Sequence, residues 1–323
     1  MSGIIYIITI LKISYDWNTS ASRTTYSYFE AGVECIVNVR LNFFQFLPKY
    51  SIRSNKKNSV SLLMRLESRV RDEGYISLGI QGKVSTLMVA MMVADSDIVT
   101  MLLEYGANIY CVDVMGNDAC MFATVYGRSK NLPGWFENVK DWDLNRQNTV
   151  VGGCALGCAV YMGAKKLETV KVLLDAVASL DFRTFSGGTL LTGAVENEDS
   201  DPDVVRLVLK KVQSTHSVED LSSVVNYRRK STTFKWKSIY FVAKSLYRTG
   251  LSTSGLMKYL AMQVGTTPLN LAVARGDVEI VKILLENGAD PYIENDLGMN
   301  AFDVCEKFGP FPRIGEVLME TCL

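Results

Sequence analysis

The stretch Gly265-Thr-Thr-Pro-Leu-Asn-Leu-Ala-Val-Ala-Arg-Gly-Asp-Val-Glu-Ile-Val-Lys-Ile-Leu-Leu-Glu-Asn-Gly-Ala-Asp290 decides the fold. Thr266 or Thr267 stands ready to cap a helix whose first turn holds Pro268, where a missing N–H costs nothing. A short apolar run follows and stops at Gly276-Asp277; a second, amphipathic run ends at Gly288. Glycine behind an apolar helix takes the left-handed conformation without steric cost and lets the chain turn. Two such short helices cannot bury their apolar sides alone, so the unit has to stack on copies of itself.

Copies are present. Small residues suited to close helix approach recur at Ala90, Ala123, Ala159, Ala194, Ala272 and Cys305, with spacings of 33, 36, 35, 78 and 33. Apolar pairs keep the same register at Leu102-Leu103, Leu173-Leu174, Val208-Leu209, Leu284-Leu285 and Val317-Leu318. The quoted segment resembles an ankyrin repeat: Thr267-Pro-Leu-Asn-Leu-Ala272 stands where that family has T-P-L-H-x-A, and the family period is 33. The resemblance covers about residues 82–323, clearest over 265–309 and weakest over 213–264. It implies an all-α ankyrin-repeat solenoid of about six to seven helix-turn-helix units, some degenerate, with β-turn or hairpin fingers. A degenerate unit around Ala243 would fill the 78-residue gap.

The expected organisation is therefore an N-terminal extension over 1–58, a capping helix over 59–81, a first repeat block over 82–212, a basic inter-repeat insertion over 213–238 and a second block over 239–323. The capping helix is read from the apolar positions of Val60–Val70. Two departures from the repeat pattern stand out. Val177 occupies the register position of Gly106 and Gly288, where a β-branched residue tolerates positive φ poorly, so that unit should end in another turn or under strain. Asn131-Leu-Pro-Gly134 should interrupt a second helix, with Trp135 and Trp142 plugging the seam.

Composition narrows function. A chain of 323 residues exceeds what one core serves, and 48% apolar with 21% charged residues is an ordinary folding composition. His216 is the only histidine, which excludes sites needing two imidazoles and leaves Ser/His or Cys/His catalysis one candidate. Seven cysteines without C-x-x-C fit neither a zinc ribbon nor a disulfide framework, and Cys154 and Cys158 read as small packing residues. A reducing, cytoplasmic compartment is expected, or a nuclear one. The apolar run Ile4–Ile13 is too short to cross a bilayer as a helix. Gly79-Ile-Gln-Gly-Lys83 is too short for a phosphate loop, and Asp199-Ser-Asp-Pro-Asp203 lacks the glycine and glutamate of a calcium loop, reading instead as a helix start. No enzyme, cofactor or metal site is expected.

Charge is balanced overall, with 34 basic and 34 acidic residues, but uneven locally. Arg206–Lys258 holds 11 basic and 2 acidic residues, whereas Gly265–Leu323 holds 4 and 10. Cations interleave with aromatics across 227–248, giving a basic patch of Arg228, Arg229, Lys230, Lys235, Lys237, Lys244 and Arg248. Three readings stay open for it: a solvated segment neutralised by the acidic C-terminal repeats, a docking patch for an acidic protein, or a nucleic-acid or anionic-membrane tether. Arg228-Arg-Lys-Ser231 has the spacing of a basophilic kinase site, which makes Ser231 a candidate for phosphorylation.

The family resemblance implies a non-catalytic scaffold or adaptor that binds a protein partner through finger turns and the inner faces of first helices. Those fingers correspond to 109–115, 180–185 and 291–297. Their residues of interface-anchoring type are Tyr110, Met115, Phe182, Arg183, Phe185 and Tyr292.

Overall fold

The computed structural model describes residues 85–163, 166–176, 178–197, 201–215, 218–251, 254–309 and 311–320. The extension over 1–58, the capping helix over 59–81, Val177 and His216 lie outside the described residues. Five helix pairs follow the 33-residue unit: α1 (Thr86–Val93) with α2 (Ser96–Glu104), α3 (Ala119–Val125) with α4 (Asn131–Asn138), α5 (Ala155–Met162) with α6 (Lys166–Asp175), α7 (Leu190–Glu196) with α8 (Pro202–Thr215), and, after three further helices, α12 (Pro268–Arg275) with α13 (Val278–Glu286). A sixth pair, α14 (Ala301–Phe308) and α15 (Pro312–Glu320), follows them. First helices pack in the order α1, α3, α5, α7, α12, α14, and second helices in the order α2, α4, α6, α8, α13, α15. The two layers enclose one continuous core.

The marker residues explain this packing. Ala90, Ala123, Ala159, Ala194 and Ala272 are buried on the first helices, where a methyl group is all that fits between neighbours. Leu102, Leu173, Val208, Leu284 and Leu318 are buried from the second layer. Thr267 caps α12, its side chain accepting from the Asn270 N–H at 3.2 Å ahead of Pro268. Gly106 and Gly288 close α2 and α13 at φ +79° and +85° with open space around them, so conformation alone selects glycine there. Pro133-Gly134 does not interrupt α4. The helix begins at Asn131 and takes the proline in its first turn. Trp135 is fully buried and meets Trp142 edge-on at 5.3 Å, as the seam requires.

The region between α8 and α12 departs from the expected degenerate unit. α7 packs directly on α12, so nothing around Ala243 occupies a place in the stack. Among the described residues every finger closes with a glycine at positive φ: Gly116, Gly152, Gly187, Gly265 and Gly298. In the fourth unit's finger the Thr184 N–H donates to the Gly188 carbonyl and the Gly187 N–H to the Thr184 carbonyl, at 2.9 Å each. The next finger repeats this pairing between residues far apart in sequence: the Arg229 N–H donates to the Thr266 carbonyl at 2.9 Å and the Gly265 N–H to the Arg229 carbonyl at 3.0 Å. Two residues, Phe185-Ser186, form the tip of one finger; 35 residues, Lys230–Val264, form the tip of the other. The 78-residue gap is thus one period, a fingertip insertion of 33 residues, and about a dozen more in the lengthened α8 and the added α9 (Val218–Val225).

The fingertip insertion carries α10 (Phe234–Arg248) and α11 (Gly255–Gln263), which pack on each other around Tyr240, Ala243, Leu260 and Ala261. That cluster is separate from the repeat core. Replacing Lys230–Val264 by two residues should therefore leave a chain that still melts cooperatively, with the helical signal of the six repeats. Circular dichroism checks this, and a chain that fails to fold would mean the insertion supports the stack.

Candidate interaction surface

The fingers form a hydrogen-bonded row. The Thr149 N–H reaches the Met115 carbonyl at 2.9 Å, the Phe185 N–H the Val151 carbonyl at 2.9 Å, and the Asp296 N–H the Val264 carbonyl at 3.0 Å. In two fingers a side chain stitches the same row from the position four residues before the tip. Asn145 Oδ1 accepts from the Ser179 N–H and Asn226 Oδ1 from the Asp290 N–H, both at 2.8 Å. In the first and last fingers that position is Tyr110 and Tyr292, which stand 76% and 59% exposed. Tyr110 leans on Trp142 at 5.9 Å and Tyr292 on Phe302 at 5.6 Å, so each ring is fixed from below and open above.

The other finger residues divide. Met115 is half-buried, and exposed Val114 beside it is the residue at that tip which presents apolar surface. Arg183 is exposed, pairs with Asp181 at 3.8 Å and lies 4.3 Å over the Tyr227 ring. Phe185 is half-buried over Gly152, where a Cβ would come within 2.7 Å of the ring. Phe182 corrects the expectation. It is 5% exposed, sits under α5 where a Cβ on Gly157 would stand 2.5 Å from it, and meets Tyr161 edge-on, so it is a core residue. Between the second and third fingers lies a cleft of about 690 Å³, lined by Asp143, Arg146, Asp181 and Arg183 among others. Its charges alternate in sign.

The basic patch divides as well. Arg229 is buried, with Glu196 Oε2 2.6 Å from its Nη2 and Gln263 Oε1 accepting from its Nη1. Burial opposes the charge on both partners, yet the pair overcomes it: Glu196 is held below its ordinary range by Arg229 and the Tyr259 hydroxyl, and Arg229 is held fully charged by Glu196. Arg229 is thus a structural clamp and no part of an exposed patch. Three more cations converge on Asp296 of the last finger. Arg228 reaches Oδ1 at 3.1 Å, Lys244 reaches Oδ2 at 3.2 Å, and Arg248 donates to the backbone carbonyl at 2.9 Å. Here one carboxylate of the acidic C-terminal repeats pairs with part of the basic segment. Lys230, Lys235 and Lys237 remain exposed.

Ser231 is buried where the insertion leaves the fourth finger, and a Cβ on Gly187 would come within 2.3 Å of the adjoining Lys230 carbonyl. That hydroxyl is not presented on the surface of the folded fingertip. Cys154 caps α5, its Sγ accepting from the Gly157 N–H at 3.4 Å, and burial pushes the thiols of Cys120, Cys154 and Cys158 up, which makes them poor nucleophiles. Among the described residues no three His, Cys, Asp or Glu side chains are grouped to hold a metal ion. No helix among them is long and apolar enough to cross a membrane.

Sequence reasoning missed Val114, whose exposure follows from the two-residue tip. It also missed Glu196, whose pairing with Arg229 across 33 residues has no local signature.

Comparison with known proteins agrees with this architecture. Residues 264–296 match the ankyrin repeat family model. No match is found among curated proteins. Among solved structures, the ankyrin repeat domain of Bcl-3, a member of the IκB protein family, is 20% identical, covering 82% of this chain and 95% of that one at a TM-score of 0.53. The human ASB11 ankyrin repeat domain is 18% identical, covering 81% and 96% at 0.49. A structure of the Bd0816 predatory endopeptidase from Bdellovibrio bacteriovorus with its immunity protein Bd3460 is 20% identical, covering 72% and 98% at 0.49. The chain thus contains an ankyrin repeat at 264–296, and the five further helix pairs stacked in its register share the fold of the Bcl-3 ankyrin repeat domain.

Proposed function

We infer that the chain is a non-catalytic adaptor whose finger row binds a protein partner. The supporting observation is the pair Tyr110 and Tyr292: at a position where two of the three intervening fingers carry an asparagine that stitches the row and the other carries Asp181, both ends of the row carry an exposed tyrosine backed by a second ring. Tyrosine offers large contact area at little entropic cost, and exposed apolar area that the fold does not use is what an interface consumes. Val114, at the tip of the Tyr110 finger, and Arg183, on the third finger, belong to the same row, and the cleft of alternating charge suits a polar rim better than a small-molecule pocket. The adaptor reading extends to a cytoplasmic or nuclear setting.

Photo-crosslinking amino acids at 110, 183 and 292, with controls at Lys210 and Lys282 on second helices, test this. The finger positions should capture one and the same protein from a cell extract and the controls should not. Equal yields from both sets, or no adduct from the fingers, would reject the finger row as the binding surface.

A further inference from the structure

We propose that the fingertip insertion is a docking surface for anionic phospholipid bilayers. From Lys230 to Gln263 the chain has six Lys or Arg and no Asp or Glu. A segment so one-sided in charge is attracted to a negatively charged membrane surface. α10 uses one face, Trp236, Ile239, Tyr240, Ala243 and Tyr247, to pack within the insertion. Its opposite face leaves Phe234 85% and Phe241 68% exposed. Seven residues are two turns, so the two rings stand on the same side roughly 10 Å apart. Leu251, where the chain leaves α10, is 78% exposed. These side chains project outward, away from the cluster that holds the two helices together.

The cations say which anionic surface is suited. Arg228, Arg229 and Arg248, whose planar forks serve bidentate recognition, are engaged inside the protein. Among the described residues Lys230, Lys235, Lys237 and Lys258 have no carboxylate partner. Lysine acts as a point charge toward a diffuse field, which suits lipid headgroups more than a fixed pattern of phosphates or carboxylates. Projecting phenylalanines need a deformable apolar phase to enter, and the headgroup boundary supplies one. A folded acidic protein would need a matching pocket for each ring, and nucleic acid offers base faces only where they are unstacked. The lysines and phenylalanines it uses are not the residues of the adaptor reading, Tyr110, Arg183 and Tyr292, so its test does not bear on that reading.

The full chain is floated with vesicles of phosphatidylcholine alone and with vesicles containing phosphatidylserine. It should rise with the anionic vesicles only. Lys230→Gln, Lys235→Gln and Lys237→Gln together should weaken binding by about a hundredfold at low salt, as expected for three surface charges. Phe234→Ser with Phe241→Ser should weaken it about tenfold while leaving the melting midpoint unchanged, because both rings are already in water. As a second readout, Phe241→Trp should show a blue-shifted emission on adding anionic vesicles, quenched by brominated lipid. Absence of flotation with phosphatidylserine overturns the proposal. So does flotation indifferent to the phenylalanine pair, or preferential binding of polyuridylic acid or polyglutamate, which would mark a site for another polyanion.

Discussion

Replacing Arg229 by alanine is expected to destabilise the protein by about 3–5 kcal/mol, the range for removing one partner of a buried ion pair. The substitution leaves Glu196, 19% exposed as a side chain, as a carboxylate without its guanidinium, and strips the Gln263 amide of its donor. Neither group can recover water without opening the seam. Because Arg229 ties the fourth unit, through Glu196, to the end of the insertion and to the start of the fifth unit, the loss falls on one junction of a quasi-linear array. A melt that separates into two transitions, four repeats apart from two, is the expected signature. Arg229→Met with Glu196→Leu should recover most of the loss, since an apolar pair of similar volume carries no desolvation penalty. A single unshifted transition for Arg229→Ala would remove the clamp from this account.

The same pair sets an acid limit. The Glu196 carboxyl, whose ordinary value is 4.5, is lowered in the folded chain, where Arg229 and Tyr259 outweigh burial. A lowered acid contributes stability that is fully present above its unfolded value and is lost as pH falls through the folded one. Stability should therefore fall below about pH 4.5, and the Met/Leu pair should flatten that limb of a pH-dependent melt.

Much of this was legible in the residues, and the limits have physical causes. Periodicity is a property of packing, so Ala90, Ala123, Ala159, Ala194 and Ala272 announced the first-helix layer in order. Gly106 and Gly288 announced their turns because only backbone conformation selects them. Ala243 misled because the fingertip insertion is 33 residues long, one repeat period, and its helices are amphipathic for a core of their own. Spacing alone cannot separate a unit added to the stack from a unit of equal length added to a loop. The separating evidence lies in the backbone pairing of Arg229 with Gly265 and Thr266, a contact between residues too distant in sequence to leave a pattern. Charge misled in the same way. Arg228, Arg229, Lys244 and Arg248 read as one patch with Lys230, Lys235 and Lys237, but Glu196 and Asp296 take the first four.

Phe182→Ala is expected to cost about 3–5 kcal/mol, as for other large aromatic residues truncated in a core. Its ring fills the space that Gly157 leaves on α5 and meets Tyr161 edge-on at 6.5 Å. Tyr161 in turn donates through its hydroxyl to the Thr189 carbonyl at 3.0 Å, where α7 is capped, and lies against Gly193 so closely that a Cβ there would be 2.3 Å from the ring. The finger, α5 and α7 are thus locked by one aromatic pair seated in two glycine notches. Removing the inner ring opens a void that backbone packed on both sides cannot close, so the cost falls at the upper end of the range rather than relaxing away. The neighbouring exposed positions behave oppositely: Tyr110→Ala and Tyr292→Ala should each change stability by less than about 1 kcal/mol, because each residue is more than half exposed. Chemical denaturation of the three variants side by side distinguishes them. Equal, small effects at all three would return Phe182 to the surface, and large effects at the tyrosines would make them scaffold instead of contact residues.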